Sequence, residues 1–358
     1  MTLGLKTWKV AVLPGDGIGP EVTTAACRVL KFLCDREKIP MITTYGLIGG
    51  AAIDHCGCPY PNTTAELVKE SHGVLLGAVG GPQWQSIAED KRPEQGLLAL
   101  RKDLNAYTNL RPVRSWRGLE DQSPLKDPQG VDILVVRELT GGIYFGERGI
   151  RDHYHYDIMA YSEGEVERIA HRAFQLAQQR RKKVTHVDKA NVLASSKLWR
   201  STVEKVALAY PNVQLDHLYV DNAAMQLAQR PRDFDVILTG NLFGDILSDL
   251  LAGLVGSIGL LPSVAMGDGD QAAIFEPIHG SAPDIAGNDQ ANPVAAILSL
   301  AELLRYSLGR GDLAKELEGV IGEVLEEGVC TKDLGGPSSC SAFTGEVLDR
   351  LVNPGVRG

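Results

Sequence analysis

The sequence predicts an α/β fold built on a largely parallel sheet, because short apolar segments alternate with longer amphipathic ones. The apolar segments are rich in Val, Ile and Leu, which is typical of buried strands. They cover residues 8–13, 73–79, 131–136, 184–187 and 236–239. A chain of 358 residues with 44% hydrophobic side chains can form one large domain or two ordinary ones.

The clearest predicted helix begins at Ser162, where Glu165 completes a capping box. Apolar side chains then recur at helical spacing. They are Val166, Ile169, Ala170, Ala173, Phe174 and Ala177. We expect this helix to end in the basic run 180–183, which would lie at its electronegative end.

The charge balance restricts the classes of partner. With 36 Lys and Arg against 45 Asp and Glu, the net charge is −9, which disfavours nucleic acid and anionic membranes. No targeting segment is predicted in residues 1–9, and the uncharged run 250–267 is too short and glycine-rich to span a bilayer. The six cysteines indicate reduced thiols, so we expect a cytoplasmic location.

Residues 139–162 have a different composition, with aromatic side chains among glycines and no helical spacing. A hairpin or arm is predicted here. Its aromatic side chains would contact another subunit or fold back onto their own domain, and the sequence alone leaves both interpretations open.

The loop 14–21 looks at first like a dinucleotide fingerprint, but its glycines alternate and Pro20 follows the third of them. Pro20 suits the first turn of a helix, and Glu21 places a carboxylate at the positive end of that helix. A pyrophosphate would dock at this end in a Rossmann fold. We therefore predict that the fold is not a Rossmann fold, and a tight turn near a ligand remains open.

Asp245 and Asp249 are four residues apart in a segment that runs from a buried strand into a helix, so they share one helix face. Their repulsion would be relieved by a hard divalent cation such as Mg²⁺, which prefers carboxylate oxygens. The alternative is two solvated acids on a helix surface.

Arg101, Arg111 and Arg137 each lie in or beside apolar sequence. A guanidinium matches a carboxylate in bidentate geometry, so three of them could hold a dicarboxylate. The alternative is structural ion pairing, for which Glu138 is the candidate partner of Arg137.

Two side chains are candidates for proton transfer. Lys189 follows a predicted strand, at the end where α/β folds place their sites. Tyr144 is the second candidate, and packing within the arm is the structural alternative that the sequence favours for it.

Together these motifs resemble the β-decarboxylating dehydrogenase family, whose members act on isopropylmalate, isocitrate, homoisocitrate or tartrate. The matching segments are 13–21, 75–82, 97–101, 109–112, 135–146, 187–192, 219–221, 239–249 and 275–287. The resemblance implies a two-domain α/β fold with a large mixed, mostly parallel sheet. Its first domain would comprise 1–106 and 256–358, and its second 107–255. It also implies a homodimer with a shared active site, built through the arm near 139–162.

The resemblance further implies roles for the acidic and proton-transfer residues. Asp245 and Asp249 would bind Mg²⁺ or Mn²⁺ together with Asp221 from the other subunit, which would also contact the substrate. Lys189, again from the other subunit, would act in removing the proton of the substrate hydroxyl. Tyr144 would protonate the enol that remains after decarboxylation.

For the substrate, the resemblance implies that the three arginines clamp the carboxylates of a small dicarboxylic acid. Glu94, Leu97 and Leu98 would contact its side chain, and two leucines suit a branched aliphatic group. They could neither solvate nor pair the third carboxylate of isocitrate. The implied activity is NAD-dependent oxidative decarboxylation of isopropylmalate to ketoisocaproate, in leucine biosynthesis.

For the cofactor, the resemblance implies an NAD site centred on the loop that begins at residue 279. The implied contacts are Ile18, Gly81, Glu94, His279, Gly280, Ser281, Ala282, Pro283, Asp284, Ile285 and Asn292. Asp284 would accept hydrogen bonds from the adenosine ribose and repel a 2′-phosphate. Relatives that use NADP carry Lys-Tyr at the positions of Asp284 and Ile285, so the pair predicts NAD.

Three other functions remain as alternatives. The first is a sister activity on homoisocitrate, isocitrate or tartrate. The second is a nucleotide-binding regulatory subunit without catalysis, against which the complete set of acidic and proton-transfer residues argues. The third is a magnesium phosphohydrolase, which would leave the arginines and Asp284 without a role.

Overall fold

A computed structural model describes residues 7–269 and 271–352. The segment 1–9, in which no targeting signal is predicted, lies mostly outside this part, because residues 1–6 are not described. The strands, in chain order, are β1 (Trp8–Gly15), β2 (Met41–Tyr45), β3 (Gly73–Ala78), β4 (Thr108–Arg114), β5 (Asp132–Glu138), β6 (Arg148–Arg151), β7 (Tyr154–Asp157), β8 (Lys183–Asp188), β9 (Gln214–Tyr219), β10 (Val236–Thr239), β11 (Pro262–Met266) and β12 (Ala273–Pro277).

The α-helices are α1 (Gly19–Glu37), α2 (Gly49–Cys56), α3 (Asn62–Lys69), α4 (Pro93–Asp103), α5 (Glu163–Gln178), α6 (Ala194–Ala207), α7 (Val220–Gln229), α8 (Asn241–Val255), α9 (Val294–Tyr306), α10 (Gly311–Glu326) and α11 (Cys340–Val352). The predicted α/β fold is confirmed, and each of the predicted strands is present. None of the helices in the described ranges is long and apolar enough to cross a membrane.

The chain divides into two compact units. Unit 1 comprises Met1–Asn105, Trp116–Gln122 and Ser257–Gly358, and unit 2 comprises Ala106–Ser115 and Ser123–Gly256. The domain boundaries expected from the sequence stay a prediction.

Unit 1 contains strands in the order β2-β1-β3-β12-β11, parallel except for the antiparallel pair β11 and β12. Helix α9 packs against β3, β11 and β12, and its residues from Val294 to Leu304 are all buried. A helix that is apolar on every side belongs inside a core. Helices α1 and α10 pack against α9.

Unit 2 contains strands in the order β4-β5-β10-β8-β9, parallel except for the antiparallel pair β4 and β5. The parallel strands β5, β10 and β8 end at Glu138, Thr239 and Asp188. Because parallel neighbours end at one edge of a sheet, the residues that follow these three strands are brought to a common edge. Helix α8 begins at that edge and packs on β4 and β5.

Helix α5 begins as predicted. Ser162 Oγ accepts a hydrogen bond from the Glu165 amide, and the Glu165 carboxylate accepts one from the Ser162 amide at 2.7 Å. The prediction for the other end is wrong, because α5 ends at Gln178 and Lys183 begins β8. The Arg180 side chain instead pairs with the buried carboxylate of Asp235 at 2.8 Å.

The segment predicted as a hairpin or arm forms an antiparallel pair, with Arg148 opposite Asp157 and Arg151 opposite Tyr154. Its side chains are largely exposed, and 77% of the surface of Tyr154 is accessible. The run 250–267 comprises the end of α8, a short turn and the buried strand β11.

Removing the cap of α5 should lower the stability of unit 2. We expect Ser162→Ala to reduce the free energy of unfolding by about 1 kcal/mol, because the amide of Glu165 loses its acceptor. Gly164→Ala in the same turn should be at least as stable as the wild type, since an added Cβ there meets nothing within 4 Å and alanine favours the helix. Denaturant unfolding tests this, and a Ser162→Ala variant as stable as the wild type would contradict the role of the cap.

Candidate active site

The two predicted metal ligands lie one turn apart on α8, as the sequence predicts. The side chain of Asp245 is 37% exposed and that of Asp249 is 58% exposed. Both carboxylates lie near guanidinium groups, so Asp245 is not a solvated surface acid, whereas Asp249 stays largely exposed to solvent.

Arg111 reaches these acids from β4. Its guanidinium lies 3.4 Å from a carboxylate oxygen of Asp245 and 3.4 Å from one of Asp249. Its Nε donates to Asn109 Oδ1 at 2.9 Å, and its Nη1 donates to Ser248 Oγ at 2.6 Å. A buried arginine held by two neutral acceptors keeps its charge directed at the acidic pair.

Arg137 reaches the same acids from β5. Its Nη1 donates to Asp245, and its Nε and Nη2 donate to Asn241 Oδ1 at 2.9 and 2.7 Å. Helix α8 can approach β5 because residue 244 is glycine, and a Cβ there would lie 2.7 Å from Arg137 Cγ. The proposed partner of Arg137, Glu138, is instead ion-paired with Arg168, since adjacent strand residues point to opposite faces.

The pKa values of Asp245 and Asp249 shift in opposite directions. Partial burial alone would raise the pKa of Asp245, but Arg137 and Arg111 outweigh it and lower that pKa. Partial burial raises the pKa of Asp249 in spite of Arg111, and the negative charge of Asp245 adds to the effect. Asp249 therefore has an incompletely compensated charge, which a cation would relieve.

Tyr144 belongs to this cluster and does not pack within the arm. Its hydroxyl donates to Asp245 Oδ2 at 3.0 Å. Burial and the neighbouring Asp245 raise the pKa of Tyr144, so its phenol retains the proton near neutral pH.

Lys189 and Asp221 form a second group. Lys189 Nζ lies 2.5 Å from Asp221 Oδ1, and this bond is the first cause of the lowered pKa of Asp221. Within the described ranges of this single chain, neither residue has a hydrogen bond or ion pair with Asp245 or Asp249. The structure therefore brings together two of the three predicted metal ligands and leaves the third beside Lys189.

The predicted cofactor loop lies in unit 1, against the glycine loop 14–21. The amide of Ile18 donates to Ser281 O at 2.8 Å, and Gly17 has φ +58°. A Cβ at Gly17 would lie 1.9 Å from Ser281 O, so this close approach requires glycine. The turn that the sequence left near an unspecified ligand thus supports the loop 279–285.

A cleft of about 340 Å³ opens beside this loop. Predicted cofactor residues that line it are Ile18, His279, Ala282, Ile285 and Asn292. His279 Nε2 is buried and has no hydrogen-bond partner among the described residues, which indicates room for a polar ligand group. Asp284 and Pro283 are exposed on the neighbouring turn.

A second cleft in unit 1, of about 390 Å³, is lined by Gly81 and Glu94 of the predicted set. Leu97 and Leu98 are half-buried on α4. Arg101, at the end of α4, pairs with Glu276 at 2.9 Å. Its Nε is buried without an acceptor in the described part of the chain, so one donor is available for a carboxylate.

Sequence reasoning missed two carboxylates that shape these clefts. Asp16 accepts hydrogen bonds from the amides of Gly50, Ala51 and Gly80 at 2.7–2.9 Å, which fixes the turn before Gly81. Asp333 accepts from Ser257 and Asn292 and lines the cofactor cleft. The only sequence signal was the position of Asp16 between two glycines after a strand.

Two other clusters among the described residues have metal-ligand chemistry, and neither is favoured as a cation site. Asp188, which lies near His186 and His217, is held by both nitrogens of the Arg200 fork at 2.8 and 2.9 Å. The cluster of Glu21, Asp289 and Cys340 contains a thiol whose pKa burial raises to about 12, and a protonated thiol is a poor ligand. All six cysteines are free, as expected.

Known proteins are similar to this chain both in sequence and in fold. Residues 9–347 match the family model described as isocitrate/isopropylmalate dehydrogenase. A 3-isopropylmalate dehydrogenase of Aquifex aeolicus is 49% identical over 97% of both chains. One of Hydrogenovibrio crunogenus is 50% identical over 97% of this chain and 99% of its own.

A crystal structure of isocitrate dehydrogenase from Methylococcus capsulatus superposes with a TM-score of 0.86 and 34% identity, over 96% of this chain and 99% of its own. These matches cover nearly all of the chain. The protein therefore belongs to the isocitrate/isopropylmalate dehydrogenase family.

Proposed function

We propose that this protein catalyses the NAD-dependent oxidative decarboxylation of isopropylmalate to ketoisocaproate, a step of leucine biosynthesis. The observation that carries the proposal is the cluster in which Asp245 and Asp249 face Arg111 and Arg137. These four charges cancel, so a divalent cation and a dicarboxylate can enter together without leaving a net charge. The relatives named 3-isopropylmalate dehydrogenase support this choice of substrate.

The residues fit a divalent metal. Asp245 and Asp249 offer hard carboxylate oxygens one helical turn apart, and Asp221 of a second copy would complete the set. When bound, Mg²⁺ or Mn²⁺ supplies positive charge that stabilises the oxyanion developing on the substrate.

The residues also fit a dinucleotide. The His279–Ile285 loop and Asn292 border a cleft that contains an unpaired buried imidazole nitrogen, and the turn carries the exposed carboxylate of Asp284. When bound there, NAD would supply the acceptor for the hydride that leaves the substrate carbon. Asp284 binds ribose hydroxyls and disfavours a 2′-phosphate at the same place.

The remaining roles belong to side chains of this chain. Arg101, Arg111 and Arg137 bind the substrate carboxylates, since each guanidinium bonds a carboxylate with two donors. Lys189 Nζ, with Asp221, takes part in removing the proton of the substrate hydroxyl. The Tyr144 hydroxyl returns a proton to carbon after carbon dioxide departs, and its raised pKa means that the phenol is protonated near neutral pH.

We propose that the working form is a cytoplasmic homodimer. Lys189 and Asp221 have no bond to Asp245 or Asp249 among the described residues, so they would serve the acidic pair of a second copy. The exposed hairpin of β6 and β7 provides an arm for that contact.

Steady-state assays of the purified protein with Mg²⁺ and NAD test the function. We expect kcat/KM for isopropylmalate to exceed that for isocitrate by about 100-fold or more, because Leu97 and Leu98 cannot pair an additional carboxylate. Homoisocitrate and tartrate should also be poorer substrates. Faster turnover of any of these three acids would overturn the choice of substrate, and an absence of NAD reduction with all four would overturn the activity.

The cofactor assignment is tested by Asp284→Lys combined with Ile285→Tyr. We expect the ratio of kcat/KM for NADP to that for NAD to rise by about tenfold or more, since a lysine would attract the 2′-phosphate. Asp349→Lys, an equal charge change on an exposed site of α11, is the control and should leave the ratio unchanged. An unchanged ratio in the double variant would contradict the role of this loop.

A further inference from the structure

Asp188 is a buried carboxylate that the proposed mechanism does not use. It is the last residue of β8 and directly precedes Lys189. Only 2% of its surface is accessible. A carboxylate in such a place requires a partner that stays charged, because isolated buried charge is costly.

That partner is Arg200 on α6. Its Nε and Nη2 donate to the two carboxylate oxygens of Asp188 at 2.9 and 2.8 Å, which is the bidentate arrangement of a guanidinium and a carboxylate. His186 Nδ1 also lies 3.6 Å from Asp188, but burial holds the pKa of His186 well below its usual range. The charge of Asp188 is therefore balanced by Arg200.

The backbone around Lys189 is bonded to Asp188 and to α6, the helix that carries Arg200. Asp188 Oδ1 accepts a hydrogen bond from the amide of Ala190 at 2.9 Å. The amide of Lys189 itself donates to the buried Ser196 Oγ at 3.1 Å. The direction in which the Lys189 side chain leaves the backbone is thus fixed by Asp188 and by α6.

The pair is also joined to the segment that carries Asp221. Tyr219 is opposite Asp188 in the register of β8 and β9. The Arg200 guanidinium lies 5.2 Å from the centre of the Tyr219 ring, and Lys189 Nζ lies 5.8 Å from it. One aromatic ring therefore contacts both cations two residues before Asp221.

We infer that Asp188 and Arg200 are positioning residues, which together with the Tyr219 ring hold Lys189 and Asp221 in the orientation needed for proton removal. This inference rests on the proposed function, since it assumes that Lys189 takes part in the reaction. The inferred role depends on the geometry of the Arg200 guanidinium and not on its charge alone. A planar fork fixes the carboxylate in two directions, whereas a point charge does not.

The test is Arg200→Lys, which keeps the charge and removes the fork. A control exists in unit 2, because Arg180 bonds the equally buried Asp235 at 2.8 Å, just before the amino end of β10, and also bonds Asp132 at 2.9 Å. The guanidinium side chains are 27% and 23% exposed, and both carboxylates are 2% exposed. Because Arg180 serves two carboxylates, Arg180→Lys should lower the melting temperature at least as much as Arg200→Lys does.

We expect kcat with isopropylmalate to fall about 10- to 100-fold in Arg200→Lys, because displacing a reacting group by about 1 Å has this effect. The KM for NAD should change less than about twofold, and Arg180→Lys should keep kcat within about twofold of the wild type.

In a Lys189→Ala background, Arg200→Lys should lower the residual kcat less than about twofold, since residues that act through one another are not additive. Tyr219→Leu keeps the ion pair and should lower kcat about threefold or more.

Equal kcat in the Arg200 and Arg180 variants would overturn the inference, and so would an undiminished effect in the Lys189→Ala background. If Arg200→Lys does not fold, a Tyr219→Leu variant with wild-type kcat would overturn it. Inactivity of the wild-type protein on isopropylmalate would count against the proposed function instead.

Discussion

The structure depends on the pairing of two carboxylates of α8 with two arginines of the strands beneath it. Arg111 and Arg137 are buried and cannot lose their charge, so they need anions nearby. Asp245 and Asp249 meet that need within unit 2. The two buried arginines would be unfavourable without the two carboxylates nearby. These ion pairs could still be replaced by bound ligands. A cation for the acids and a dianion for the arginines would replace these internal pairs one for one.

Other candidate ligand groups in the chain are also paired internally. Arg101 is paired with Glu276 but retains one unpaired buried donor. Lys189 is paired with Asp221, and Tyr144 is bonded to Asp245. Each candidate ligand group thus has a partner that a bound substrate could replace. In the proposed function, an acidic protein could in this way keep several cationic groups for an anionic substrate.

Sequence reasoning predicted the strands, the start of α5 and the shared face of Asp245 and Asp249, because these follow from periodicity and capping. It misplaced the end of α5, since the basic run after Gln178 is used by tertiary pairs with Asp235. It could not find Asp16, whose three amide donors come from distant segments. The alternative in which Arg137 pairs with Glu138 rested on adjacency in sequence, but adjacent strand residues point to opposite faces and Glu138 pairs with Arg168. Roles that need a second subunit stay predictions.

The most direct test of the charge-exchange account is the affinity of the protein for Mn²⁺, measured from the paramagnetic resonance signal of the free ion. The account predicts that saturating isopropylmalate tightens Mn²⁺ binding by about tenfold or more, because each ligand relieves charge that the other leaves unpaired. Asp249→Asn should remove this gain. An Mn²⁺ affinity that is the same with and without isopropylmalate would contradict the account.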